Sequence, residues 1–199
     1  MSASNRALFL DRDGVLDELV HYPSHDEWEA PRSIGDLRMI DGIAAPLRRL
    51  ADAGWRLVIV TNQPSYAKGK VTKESLEAVQ QAVLDALARD GVAIARSYVC
   101  FHHPDAIVPE LRVACDCRKP GTRFLHDAER ELDVDLARSW MIGDQDSDLA
   151  CGRAAGCKVA LIEHRRSAHK RGAIEPDLRV ENLEELARVI LSEAKDLPR

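Results

Sequence analysis

The chain has 199 residues, 45% of them apolar, enough for one α/β domain spanning 1–199 with a buried core. A net charge of -5, with both signs interspersed, lacks the basic footprint of a nucleic-acid or anionic-membrane binder and points to a small-molecule partner. No apolar run approaches the roughly 18 residues that span a bilayer, and residues 1–6 lack a signal-peptide apolar region, so a cytoplasmic monomer is expected.

Apolar residues 7–10 read as a buried strand that stops at Asp11-Arg12-Asp13-Gly14. Such a strand puts a carboxylate at the sheet's C-terminal edge, where open α/β sheets bind ligands, and Gly14 permits a tight turn away. One Asp can attack an electrophile or hold a cation while the other handles protons. Residues 17–39 carry Pro23, Trp28, Pro31, Gly35 and several charges and read as a long loop or flap beside that turn. A helix follows over 41–53, delayed or distorted by Pro46.

A second strand, 56–61, ends in Thr61-Asn62-Gln63, short polar groups able to bind phosphate oxygens without adding charge. Leu76, Val79, Val83, Leu84 and Leu87 then recur at helical spacing, with Gly91 as the stop. Strand 97–101 opens a segment, 100–119, that breaks the strand–helix alternation.

That segment holds three of the five cysteines. Cys100-x-His102 and Cys115-x-Cys117 supply three thiolates and an imidazole, a structural zinc set better suited to a reducing compartment than to disulfides. Alternation along an extended strand puts His102 on the side of Cys100, with His103 as the other option. Arg118 and Lys119 follow at once, so an ion holding Cys117 would aim two cations for an anion before the helix expected over 121–132.

Strand 139–143 delivers Gly143-Asp144-Gln145-Asp146-Ser147-Asp148. Asp144, facing Asp11 from a neighbouring strand tip, would complete an oxygen site for Mg²⁺, with Asp148 orienting the ligands and Asp146 capping the helix 146–155. Strand 158–162, helix 182–191 and a charged tail, 192–199, complete the chain. Alternating strands and helices predict a Rossmann-like parallel sheet covered on both faces.

Taken together, Asp11-x-Asp13-Gly14, Thr61, Lys119 and Gly143-Asp144-x-x-x-Asp148 resemble the four motifs of the haloacid dehalogenase (HAD) superfamily of phosphatases over roughly residues 6 to 190. The Cys/His loop followed by Arg118-Lys119-Pro120 narrows the resemblance to the branch of heptose-bisphosphate and histidinol-phosphate phosphatases. The resemblance implies a HAD fold with a zinc loop and no large cap domain, and a Mg²⁺-dependent phosphomonoesterase. Asp11 would be the nucleophile, Asp13 the general acid and base, and Thr61 and Lys119 the holders of the transferring phosphoryl group. Mg²⁺ would sit on Asp11, the Asp13 backbone and Asp144, and Gly14, Asn62, Gln63, Arg118 and Gln145 would meet the substrate.

Three departures stand out: Gln145 replaces a usual Lys, Pro64-Ser65-Tyr66 replaces Ser-Gly after Thr-Asn-Gln, and the 17–39 segment is long and lacks a Gly-Tyr pattern. Losing a cation at 145 weakens the expectation of a second phosphate on the substrate. Acidic Asp26, Glu27 and Glu29 leave histidinol phosphate as an alternative, and a non-catalytic sugar-phosphate-binding module is a further one. Five intact residues with separate tasks, Asp11, Asp13, Thr61, Lys119 and Asp144, argue against the latter.

Overall fold

The computed structural model describes residues 5–24 and 26–193. Its centre is a six-stranded parallel sheet built from β1 (Ala7–Leu10), β4 (Arg56–Asn62), β5 (Ile94–Cys100), β6 (Trp140–Gly143), β7 (Lys158–Ile162) and β8 (Leu178–Val180) in the order β5-β4-β1-β6-β7-β8. The chain runs outward from β1 through β4 to β5, then crosses back to the other side of β1 for β6. That reversal makes a switch point around β1, where the strand tips open a crevice. Leu10 pairs with Ile59 of β4 and Ile142 of β6, so the residues just past each strand end converge there.

Period-2 alternation divides the core. Leu8 and Leu10 join Leu57, Ile59 and Ile142 under α1 (Ala44–Asp52), α2 (Lys73–Arg89) and α5 (Leu183–Glu193), while Ala7 and Phe9 join Val58, Val60 and Met141 under α3 (Arg123–Leu132) and α4 (Asp146–Ala154). Pro46 is the third residue of α1, within the first turn, where a missing N–H breaks no helix bond.

The 17–39 flap carries a small hairpin, β2 (Val20–Tyr22) against β3 (Glu27–Glu29), with His21 opposite Trp28. Its strands are too short and too charged to read as sheet. Strand β5 begins three residues before the expected start, because Arg96 and Ser97 sit on an edge strand whose side chains face solvent in part. β8 was not foreseen at all: its three residues at the other edge carry too little pattern. Ser192 and Glu193 belong to the last turn of α5, not to a tail, and 194–199 lie outside the described residues. Among the described residues no helix is long and apolar enough to cross a membrane.

Candidate active site

Three carboxylates meet at the switch point. Asp11 extends β1, its N–H donating to the Ile142 carbonyl at 2.9 Å; Asp144 follows β6; Asp148 lies in the first turn of α4. One oxygen from each lies within 4.8 Å of the others. Asp144 is fully buried, and neither of its carboxyl oxygens has a hydrogen-bond partner. Burial, with Asp11 nearby, pushes its pKa up to about 6, and burial drives Asp11 up to about 7 although Lys119 pulls it down. The partnerless Asp144 carboxylate beside Asp11 forms a hard-oxygen donor set that a Mg²⁺ ion fits, and such an ion would offset the desolvation cost.

Two glycines make the cluster possible. Gly14 sits at φ +86°, and a Cβ there would overlap the Asp144 carboxylate; one at Gly143 would overlap Asp148. Gly14→Ala is therefore expected to weaken Mg²⁺ activation by about tenfold or more, as a strained backbone and a displaced ligand act together. A Mg²⁺ titration of activity checks it, and an unchanged half-saturation point would show that Asp144 tolerates displacement.

Lys119 plugs the base of the site. Its Nζ lies 2.7 Å from Asp11 Oδ1, 2.7 Å from Asp148 Oδ1 and 2.8 Å from the Val60 carbonyl, three acceptors for three protons. Burial opposes its charge, but the two carboxylates outweigh this and raise its pKa. Asn62 fixes its backbone in both directions: Nδ2 donates to the Lys119 carbonyl at 3.1 Å and Oδ1 accepts the Lys119 N–H at 3.1 Å. Asn62 thus ties the loop before α3 to the tip of β4. Asp148 also accepts the Gln145 N–H at 3.1 Å. Gln145, rather than Asp146, is the N-cap of α4; Asp146 instead accepts the N–H groups of Gly172 and Ala173.

Asp13 is held by four donors. Arg12 Nε and Nη2 reach Oδ1 at 3.2 and 2.8 Å, and Thr61 Oγ1 and Gln63 Nε2 reach Oδ2 at 3.2 and 2.6 Å. Arg12 drew no attention in the sequence, where an arginine in a turn reads as a solvated charge, yet it is fully buried.

The Cys/His loop closes on itself. Cys100 Sγ lies 3.8 Å from Cys115 Sγ and 3.3 Å from Cys117 Sγ, and His102 Nδ1 lies 3.6 Å from Cys100 Sγ and 3.3 Å from Cys117 Sγ. Zinc–sulfur bonds of about 2.3 Å in a tetrahedron imply ligand separations near 3.8 Å, so the four atoms fit one ion. His103 turns away and accepts the Asp105 N–H at 3.0 Å, which leaves His102 as the imidazole of the set.

Comparison with known proteins agrees with this geometry. A family model described as HAD-hydrolase-like matches residues 116–186. A D-glycero-beta-D-manno-heptose-1,7-bisphosphate 7-phosphatase of Yersinia pestis is 34% identical over 197 residues, covering 98% of this chain and 100% of its own. One of the same name from Rhodopseudomonas palustris is 38% identical over 176 residues, covering 81% and 93%. The chain belongs to the HAD-like phosphatases. The crystal structure of a D,D-heptose 1,7-bisphosphate phosphatase from B. bronchiseptica, complexed with magnesium and phosphate, superposes with a TM-score of 0.77 at 29% identity, covering 94% of this chain and 99% of that one.

The phosphatase presents Asp11, Asp13 and Asp148 to a cleft of about 210 Å³, while Asp144 is fully buried and does not line it. Asp11, Asp13, Asn62, Arg118, Lys119, Gln145 and Asp148 line it. Thr61 and Gln63 do not: both are buried behind Asp13, and Gly14 faces a separate pocket beside α5. Arg118 is braced by the Cys/His loop, its Nη1 donating to the His102 carbonyl at 3.3 Å. The cleft also gains Glu29, which the sequence offered only for an amine substrate, and Lys68 and Lys170, which no pattern singled out as ligands.

Proposed function

We infer that the chain, a phosphoric monoester hydrolase of the HAD type, acts on a heptose bisphosphate. We propose that it removes the 7-phosphate of D-glycero-D-manno-heptose 1,7-bisphosphate through an aspartyl-phosphate on Asp11, with Mg²⁺ on Asp11, the Asp13 backbone and Asp144. The observation that carries the chemistry is the pairing of Asp11 with Lys119 beside the partnerless Asp144 carboxylate. An Asp11 oxygen attacks phosphorus as the bond to the sugar oxygen breaks, and Asp13 gives that oxygen its proton. Water then attacks phosphorus, Asp13 takes the water's proton, and the bond to Asp11 breaks, restoring the Asp11 carboxylate and the protonated Asp13 acid. Lys119 meets the phosphoryl oxygens where charge spreads, and bound Mg²⁺ supplies further neutralisation of that charge. Thr61 acts from behind Asp13, on whose carboxylate its hydroxyl rests.

The named relatives support a heptose bisphosphate, and so does the cleft mouth. Lys68, Arg118 and Lys170 converge on it from three segments, and among the described residues neither Lys68 nor Lys170 has an ion-pair partner. They offer the positive charge for a second phosphate that Gln145 withdraws. The histidinol alternative loses its main support: Lys70 pairs with Glu27 and Glu29, Arg32 pairs with Glu29, and His21 pairs with Asp26. Partial burial opposes ionisation of Glu29, yet the Lys70 and Arg32 hydrogen bonds hold it down at about 2. Glu27 and Glu29 are already paired with cations of the protein itself, and Asp26 with the His21 ring.

Phosphate release from heptose 1,7-bisphosphate anomers, set beside histidinol phosphate, tests the reading. A strong preference for the bisphosphate supports it, and a preference for histidinol phosphate overturns the substrate. Lys170→Ala is expected to raise KM for the bisphosphate about tenfold while leaving KM for a sugar monophosphate within twofold, the worth of one charge-assisted hydrogen bond. Equal effects on both would remove Lys170 from substrate recognition.

The zinc reading is part of the same proposal: four-coordinate zinc on Cys100, His102, Cys115 and Cys117 has a structural role and leaves no open position for catalysis. All five cysteines are free, as a reducing compartment would keep them.

A further inference from the structure

We propose that Arg12 is the positioning residue of the proton-transfer group, its guanidinium fixing the plane of the Asp13 carboxylate while Gln80 and Ser97 fix the guanidinium. The proposal rests on the reading of Asp13 as general acid and base.

Arginine is rarely buried without a task, because desolvating a guanidinium is costly. Arg12 lies wholly inside the protein, and each of its nitrogens is used. Nε and Nη2 close as a fork on Asp13 Oδ1 at 3.2 and 2.8 Å. Nη1 donates to Gln80 Oε1 of α2 at 3.0 Å, and Gln80 Nε2 donates to Ser97 Oγ of β5 at 2.8 Å. A helix and an edge strand are thereby connected to the orientation of one carboxylate.

Two carboxyl groups face the buried charge, but unequally. Asp17 makes a single approach, Oδ2 to Nε at 3.3 Å, whereas Asp13 takes the fork. Thr61 and Gln63 hold only Asp13 Oδ2. Without Arg12 the Oδ1 end would be free to turn about the Cα–Cβ and Cβ–Cγ bonds, and a misaimed acid loses most of its advantage. A purely structural arginine, serving only to neutralise Asp17, would not need to grip Asp13 twice or be anchored by a glutamine.

Leaving-group dependence separates positioning from structure. A sugar alkoxide needs a proton as it departs; 2,4-dinitrophenolate does not. Arg12→Lys keeps the charge and loses the fork. It is expected to lower kcat for the sugar phosphate by about 10²-fold, with KM within threefold, and to slow first-turnover dinitrophenolate release less than about threefold. Gln80→Met, which leaves both carboxylate contacts in place, should shift the same ratio in the same direction by about fivefold. It decides the matter if Arg12→Lys does not fold. Equal losses on both substrates, or a KM rise with kcat intact, would overturn the proposal. Asp13→Asn is the reference. If Asp13→Asn is leaving-group selective and the Arg12 and Gln80 variants are not, only the role of Arg12 falls. If Asp13→Asn is itself unselective, the reading of Asp13 falls and Arg12 with it.

Discussion

Asp11→Asn is expected to lower turnover by more than about 10³-fold while leaving the fold intact. The amide keeps an oxygen that can accept the Arg12 N–H and the Lys119 ammonium, which Asp11 Oδ1 accepts at 2.7 and 2.7 Å, so the local packing survives. What is lost is the nucleophile and one oxygen of the three-carboxylate cluster. Steady-state phosphate release with thermal melts checks both halves, and appreciable residual activity would remove Asp11 from the nucleophile's role.

The same cluster sets a pH dependence. Burial raises Asp11 to about 7 and Asp144 to about 6 in the folded protein, against 3.8 in an unfolded chain. Between those values the folded state binds more protons than the unfolded one, so the stability of metal-free protein should fall as pH rises from about 4 to 7. Mg²⁺ binds the ionised form and should flatten that slope. Melts with and without Mg²⁺ across this range read it directly; a metal-free protein that gains stability over the same interval would contradict the sign.

Loss of the zinc proposed for the Cys/His loop is expected to have the second large effect. Cys117 is two residues from Lys119, and Arg118 is braced on the His102 carbonyl, so the Cys/His cluster and the anion-binding pair share one short stretch of chain. Cys117→Ser is expected to abolish zinc binding, lower the melting temperature and reduce kcat/KM by about 10- to 100-fold. KM should carry most of the loss. Lys119 retains Asn62 on its backbone and Asp11, Asp148 and the Val60 carbonyl on its ammonium, whereas Arg118 loses its brace. Metal content by atomic emission alongside kinetics tests this. A zinc-free native protein with normal KM would contradict the assignment of the loop.

Strands that are buried on both faces were readable because they are unbroken apolar runs ending abruptly in chemistry-bearing residues. β1 and β7 coincide with their runs, and β6 differs by one residue. The half-solvated first residues of edge strand β5 and the three-residue length of edge strand β8 are why they escaped. At the site, Asp11, Asp13, Asn62 and Asp148 were legible as carboxylates and an amide at or just past strand tips, whereas Lys68 and Lys170 were not. The residues that aim the carboxylates were not legible either. Arg12 pairs with Gln80, which lies 68 positions along the chain, and no local pattern marks either. Thr61 and Gln63 point to Asp13 instead of the cleft because alternate residues at the end of β4 fall on one side, away from Asn62. The acidic flap residues could not be recognised as paired until Lys70 and Arg32 were placed beside them.

Covalent catalysis by Asp11 under Mg²⁺ passes through an acyl phosphate that hydride can trap. Its most direct test is borohydride reduction of enzyme quenched during turnover of heptose 1,7-bisphosphate, followed by peptide mass spectrometry. Reduction at Asp11 to homoserine is expected, dependent on Mg²⁺ and substrate and absent from Asp11→Asn. Rapid phosphate release from an Asp11→Asn enzyme, with no modified residue at position 11 in the wild type, would contradict it.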